Sequence, residues 1–195
     1  MIEYIDADLS RALGYLPYGL AVGVPVAAVA VWLTNVRRKR KQKPPVRWVP
    51  VMAFCVYMAV LIVITFLSRE SGSRSDVFDL ELFSTWGINN RNNAFVIENV
   101  LLFIPYGLFY CWNFPRRWKL LRCTFLGVII SLGIETMQLV TGRGYFQIDD
   151  IVTNTLGAFI GALLFVIFSA LGRFLQVHGG EKKNNKETLY EEEIP

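Results

Sequence analysis

The distribution of charge constrains this chain more than any other feature. No Lys, Arg, Asp or Glu falls between Arg11 and Arg37, between Arg47 and Arg69, or between Asp150 and Arg173. Each uncharged run reaches the roughly 20 apolar residues that cross a bilayer core. Two further stretches carry a single acid each: 94–113 with Glu98, and 123–142 with Glu135. The pattern predicts an all-α integral membrane protein, a bundle of about five transmembrane helices near residues 14–36, 48–67, 94–113, 121–142 and 151–172. Composition agrees: 53% of the 195 residues are hydrophobic and 18% charged, against about 25% charged in a soluble domain. That excludes an ordinary water-soluble enzyme and a disordered chain.

The first span is not expected to be a cleavable signal, because Glu3, Asp6 and Asp8 make its N-terminal flank acidic where a signal peptide is basic. Basic residues set the expected orientation. The loop after the first span holds Arg37, Arg38, Lys39, Arg40, Lys41, Lys43 and Arg47; the third loop holds Arg116, Arg117, Lys119 and Arg122; the tail holds Arg173, Lys182, Lys183 and Lys186. With five spans these regions share one side, and they carry fifteen of the twenty Lys and Arg residues. The N-terminus is therefore expected outside and the C-terminus in the cytoplasm. The run 37–43 reads as a topology anchor beside a membrane helix, so no nucleic-acid partner is expected. The chain divides into 1–47, a first helix with its basic loop; 48–174, a membrane domain; and 175–195, a polar tail of mixed charge expected to be disordered. The longest outside loop, 69–93, contains VFDLELFSTW at 77–86, whose Phe78, Leu82 and Trp86 fit either a helix lying on the outer leaflet or a loop with buried aromatics.

Polar groups inside a span are costly and face a bundle interior or a cavity. Here they are aligned. On the fourth span Gly127, Ser131, Glu135, Gln138 and Gly142 share a face. On the fifth, Asp150, Asn154, Gly157 and Gly161 lie within about 60° of one another at 3.6 residues per turn. On the third, Asn99, Phe103, Tyr106 and Tyr110 form a stripe beside Glu98, with a kink expected at Pro105. Gly157 with Gly161, and Gly19 with Gly23, have the spacing of close helix contacts, which opens a route to a homo-oligomer through Gly157 and Gly161. Glu98, Glu135, Asp149, Asp150 and Arg143 should converge near one end of the bundle. Two compatible readings follow. One is a satisfied network, with Arg143 beside an acid, Asp150 capping the fifth span, and Asn99, Gln138 and Asn154 bonded between helices. The other is an outward-facing polar cavity for a headgroup, sugar or peptide. Buried carboxylates are also acid/base candidates, although no nucleophile stands out and no catalytic residue is assigned. His178 is the single histidine, and Cys55, Cys111 and Cys123 have no metal spacing, so neither a metal site nor a cofactor is expected.

Residues 98–107 read ENVLLFIPYG, 135–138 read ETMQ, and Arg143 precedes FQIDDIVTNTLGAFIG at 146–161. The order N-x-x-x-F-x-P-x-G, E-x-x-Q, R, D-D-x-x-x-N-x-x-G-x-x-x-G resembles the VanZ-like family of small bacterial membrane proteins over about residues 50–172. The resemblance assigns Asn99, Phe103, Pro105 and Gly107 to the first motif and Glu135 and Gln138 to the second. Arg143, Asp150, Asn154, Gly157 and Gly161 fall in the last. Gln147 departs from it, standing where many relatives carry an acid. The resemblance implies a multi-pass protein of the bacterial plasma membrane linked to teicoplanin-type glycopeptide tolerance, with membrane lipids and a cell-wall precursor or glycopeptide as partners. The expected binding residues are Glu98, Asn99, Glu135, Gln138, Arg143, Asp150 and Asn154. An intramembrane enzyme acting on an outer-leaflet lipid or wall precursor, or a small transporter subunit, is the alternative.

Overall fold

The computed structural model describes residues 1–67, 78–114 and 117–192, with side chains up to Gln176 (that of Leu67 excepted). The described chain is helical: α1 (Ile2–Gly14), α2 (Leu16–Arg40), α3 (Trp48–Leu67), α4 (Asn90–Asn113), α5 (Lys119–Val140) and α6 (Ile148–Glu192), with two short strands, β1 (Phe78–Asp79) and β2 (Phe146–Gln147). Helices α2 to α6 contain the five stretches long and apolar enough to cross a membrane. Helix is the expected state, since in hydrocarbon each backbone N–H and C=O must be satisfied within its own segment. A third or less of each span is buried inside the bundle. Outward-facing Trp32, Phe125, Ile129 and Phe168 are each about half exposed or more, as lipid-facing side chains would be.

The five expected spans are present, with shifted ends. The fourth-last span, α3, matches its expected bounds, whereas α4 starts at Asn90 because the Asn89 side chain accepts from the backbone N–H groups of Arg91 and Asn92, both at 2.9 Å. It runs through Pro105 to Asn113 as one helix. The first thirteen helical residues, α1, form a separate element that the acidic flank concealed. Residues 78–86 are a strand and turns in place of a surface helix, and Phe78, Leu82 and Trp86 are exposed in place of buried. The backbone of α6 continues as helix to Glu192, where a disordered tail is expected from residue 175. Extending an existing helix avoids the cost of nucleating one. Residues 68–77, 115–116 and 193–195, which include parts of the outside loop, the basic third loop and the tail, lie outside the described residues.

Small residues set the helix spacing. Gly157 and Gly161 of α6 lie against the carbonyls of Val100 and Ile104 of α4, and Gly107 of α4 lies against the backbone of Ala158 and Ala162. A Cβ on Gly161 would collide with the Ile104 carbonyl. These glycines are engaged within one chain, against α4. Gly19 and Gly23 do the same for α2 against Val60 and Val56 of α3. Beside the α4–α6 seam, Phe103, Tyr106, Cys111, Cys123, Ala158 and Ala162 form the buried apolar core, with Leu61 from α3 and Ile134 from α5.

Candidate functional site

At one end of the bundle the helices separate around a cavity of about 860 Å³. It is lined by the N-terminal halves of α4 and α6, the C-terminal ends of α3 and α5, helix α1 and the loop that follows β1. The basic loops 41–47 and 117–118 join the same helices at their opposite ends. All seven residues singled out from the sequence line it: Glu98, Asn99, Glu135, Gln138, Arg143, Asp150 and Asn154.

The polar groups form a bonded set. Helix α6 presents Asp150 and Asn154 one turn apart. The Asn99 amide donates to Asp150 Oδ1 at 2.7 Å, joining α4 to α6. The Asn154 amide donates to the Ser131 hydroxyl at 2.9 Å, joining α6 to α5. Gln138 donates to the Thr65 carbonyl of α3 at 3.3 Å. Glu135 Oε2 accepts the backbone N–H of Gln147 at 3.1 Å. That bond comes from the backbone, so Gln in place of an acid at 147 leaves it intact. Glu135 and Gln138 are each 2% exposed and Asn154 4%, although they are among the most polar side chains in the spans. Burial of such groups is tolerated because each is held by protein partners.

Two expectations are corrected. Arg143 meets no carboxylate among the described residues; its guanidinium donates to the Phe66 carbonyl at the end of α3, at 2.5 Å. The four backbone carbonyls at a helix C-terminus lack intrahelical donors, which makes that position attractive to a cation. Asp150 does not cap the last helix, because α6 already begins at Ile148. The neighbouring Asp149 has the anchoring role: its carboxylate accepts the backbone N–H groups of Phe83 at 2.6 Å and Thr85 at 2.9 Å, tying the loop after β1 to the start of α6. Parallel pairing of β1 with β2, Phe78 opposite Phe146, supports the same junction.

The sequence reading missed Asp8 and Arg91. Helix α1 has no buried residue, yet Ile5, Asp8 and Leu9 border the cavity. Asp8 pairs with Arg91 of α4 at 2.6 Å and with Arg11 at 3.6 Å. The Arg91 guanidinium also lies 4.4 Å from the centre of the Phe95 ring and 5.2 Å from that of Tyr4. A helical signal was present, since Ile5, Leu9 and Ala12 recur at steps of four and three, but it is shorter than a span.

Comparison with known proteins places this arrangement. A family model described as VanZ/LLP1 matches residues 54–169, from α3 through the membrane part of α6. The match covers every cavity residue predicted from the sequence and leaves out α1 and α2. Protein VanZ of Enterococcus faecium is 37% identical over 70 residues, which cover 36% of this chain and 43% of that protein. The aligned part therefore spans less than half the length of that relative. No solved structure matches the chain.

Proposed function

The chain belongs to the VanZ/LLP1 family. From that premise we propose that it is a multi-pass protein of the bacterial plasma membrane. Its cavity opens away from the cytoplasm and binds or shields an envelope component, which links it to tolerance of teicoplanin-type glycopeptides. The observation that carries the reading is the convergence of seven polar and charged side chains from α4, α5, α6 and the α5–α6 turn on one cavity. That cavity is at the end of the bundle opposite the basic loops, and the positive-inside rule puts those loops in the cytoplasm. The N-terminus and α1 are then outside, within reach of the outer leaflet and the wall.

The test is expression in a glycopeptide-sensitive Gram-positive host. Tolerance to teicoplanin-type drugs should rise severalfold with the wild type and return to baseline with Glu135→Ala, at equal membrane levels of both proteins. Tolerance that stays at baseline with the wild type, or that survives Glu135→Ala unchanged, contradicts the proposal.

A further inference from the structure

Among the described residues, two buried acceptors at the cavity lack a hydrogen-bond partner. The amide donors of Asn99, Asn154 and Gln138 all point to protein acceptors: Asp150, the Ser131 hydroxyl and the Thr65 carbonyl. The cationic side chains have protein partners as well, Arg143 the Phe66 carbonyl and Arg91 the Asp8 carboxylate. The acceptors are not matched in the same way. Among the described residues the atoms Asn154 Oδ1 and Glu98 Oε1 are buried without a hydrogen-bond partner, the Glu98 carboxyl also interacting with that of Asp8. Asn154 is 4% exposed and lines the cavity wall, so its orphaned oxygen is a cost that a bound group can relieve. Both residues come from the family-matched membrane domain, on α6 and α4.

Part of the wall is apolar. Leu101, Leu102 and Pro105 of α4, Ile134 of α5, Leu13 of α1 and Leu16 at the start of α2 line it. A ligand that satisfies both parts has a head that donates hydrogen bonds and a tail that prefers hydrocarbon.

We propose that the cavity takes an amphiphile whose headgroup donates hydrogen bonds through hydroxyl or amino groups, as a sugar or aminosugar does, to Asn154 Oδ1 and Glu98 Oε1, while its apolar chain lies along Leu101, Leu102 and Ile134. This inference rests on the cavity being a binding site, as proposed above, and names the chemistry of what it binds. It disfavours a headgroup that only accepts, such as a phosphate monoester dianion, because that group has no donor to offer Asn154 Oδ1 and would be brought to a wall that carries the carboxylates of Asp8, Glu98, Glu135 and Asp150.

The experiment is native mass spectrometry of the full-length protein in an amine-oxide detergent, which carries no hydroxyl groups. Equimolar glucosyl diacylglycerol and phosphatidic acid of matched acyl chains compete for it, and free glucose is added in a separate arm. Glucosyl diacylglycerol should be bound about tenfold over phosphatidic acid, two hydrogen bonds being enough for such a preference. Free glucose at equal concentration should not compete. Asn154→Leu and Glu98→Leu should each reduce the preference about threefold or more. Asn154→Asp, which keeps an acceptor, should retain it. Glu98 is only half-buried, so its variant remains informative if Asn154→Leu fails to fold. Equal binding of the two lipids, preference for phosphatidic acid, or a preference untouched by Glu98→Leu overturns the proposal. Displacement by free glucose at equal concentration overturns the apolar-chain part of it. If lipid preference fails while glycopeptide tolerance depends on Glu135, the headgroup chemistry is wrong and the envelope reading stands. If the preference holds and tolerance does not, the reverse is true.

Discussion

The α4–α6 seam and the cavity both draw on α4 and α6, yet the packing differs between them. Along the seam, side chains are removed: Gly107, Gly157 and Gly161 bring the two backbones into contact, and the core beside them is apolar. At the cavity end, larger polar side chains link α4 to α6 through Asn99–Asp150 and α6 to α5 through Asn154–Ser131, beside the open volume. In a bilayer there is no hydrophobic drive between helices, so contact rests on close packing and interhelical hydrogen bonds. This chain separates the two devices along its length. The dry seam supplies rigidity, and the polar end can keep a cavity and orphaned acceptors because the seam already holds α4 and α6 together.

The contrast breaks most readily at the seam. Gly161→Leu must push α4 and α6 apart, because even a Cβ there would overlap the Ile104 carbonyl. The expected loss is about 3 kcal/mol or more, at the upper end of overpacking effects, read as loss of the monodisperse species in fluorescence-detected size exclusion. Gly133→Ala is the control: nothing lies within 4 Å of its added Cβ, and helix propensity favours Ala by about 1 kcal/mol, so the thermal midpoint should stay or rise. A larger loss at Gly133 than at Gly161 would reverse the comparison.

Asp149→Ala acts where the loop after β1 is tied to the start of α6, at the edge of the cavity. It leaves the N–H groups of Phe83 and Thr85 without their carboxylate, at about 1.5–3 kcal/mol for a hydrogen bond to a charged group. Hydrogen exchange at residues 83 and 85 should accelerate strongly while the seam residues of α4 and α6 keep their protection. Uniform acceleration over the whole chain would show that the two regions are not separable in energy.

The smallest effect is expected at α1. The Asp8–Arg91 pair is partly exposed, with side chains 18% and 34% accessible, and such pairs contribute about 0.2–1 kcal/mol. Asp8→Asn should leave the thermal midpoint within a degree or two and increase tryptic cleavage after Arg11, an effect that added salt should reproduce in the wild type. A large drop in stability would make α1 part of the core.

The spans were legible because twenty-residue uncharged runs have few other physical meanings, and the site was legible because polar residues on three spans each kept to one face. What escaped was what depends on geometry between elements. Gly107 is in the N-x-x-x-F-x-P-x-G motif, but only the folded seam shows it meeting Ala158 and Ala162. Arg143 looks like an acid's partner by charge, yet the helix end of α3 supplies its acceptor. Helix α1 and the loop after β1 carry Asp8, Ser84 and Thr85 to the cavity without a periodicity long enough to mark them. Acidic residues near Met1 were read for their charge, which concealed the apolar positions between them.

The central claim is that the polar cavity and the basic loops lie on opposite sides of the membrane, with the cavity outside. Cysteine accessibility measures this directly. In a background lacking Cys55, Cys111 and Cys123, single cysteines at positions 91, 143 and 41 are exposed to a membrane-impermeant maleimide in intact cells and after permeabilisation. The account predicts that 91 and 143 label in intact cells and that 41 labels only once the membrane is opened. Labelling of position 41 in intact cells, with 91 and 143 protected until permeabilisation, would contradict it.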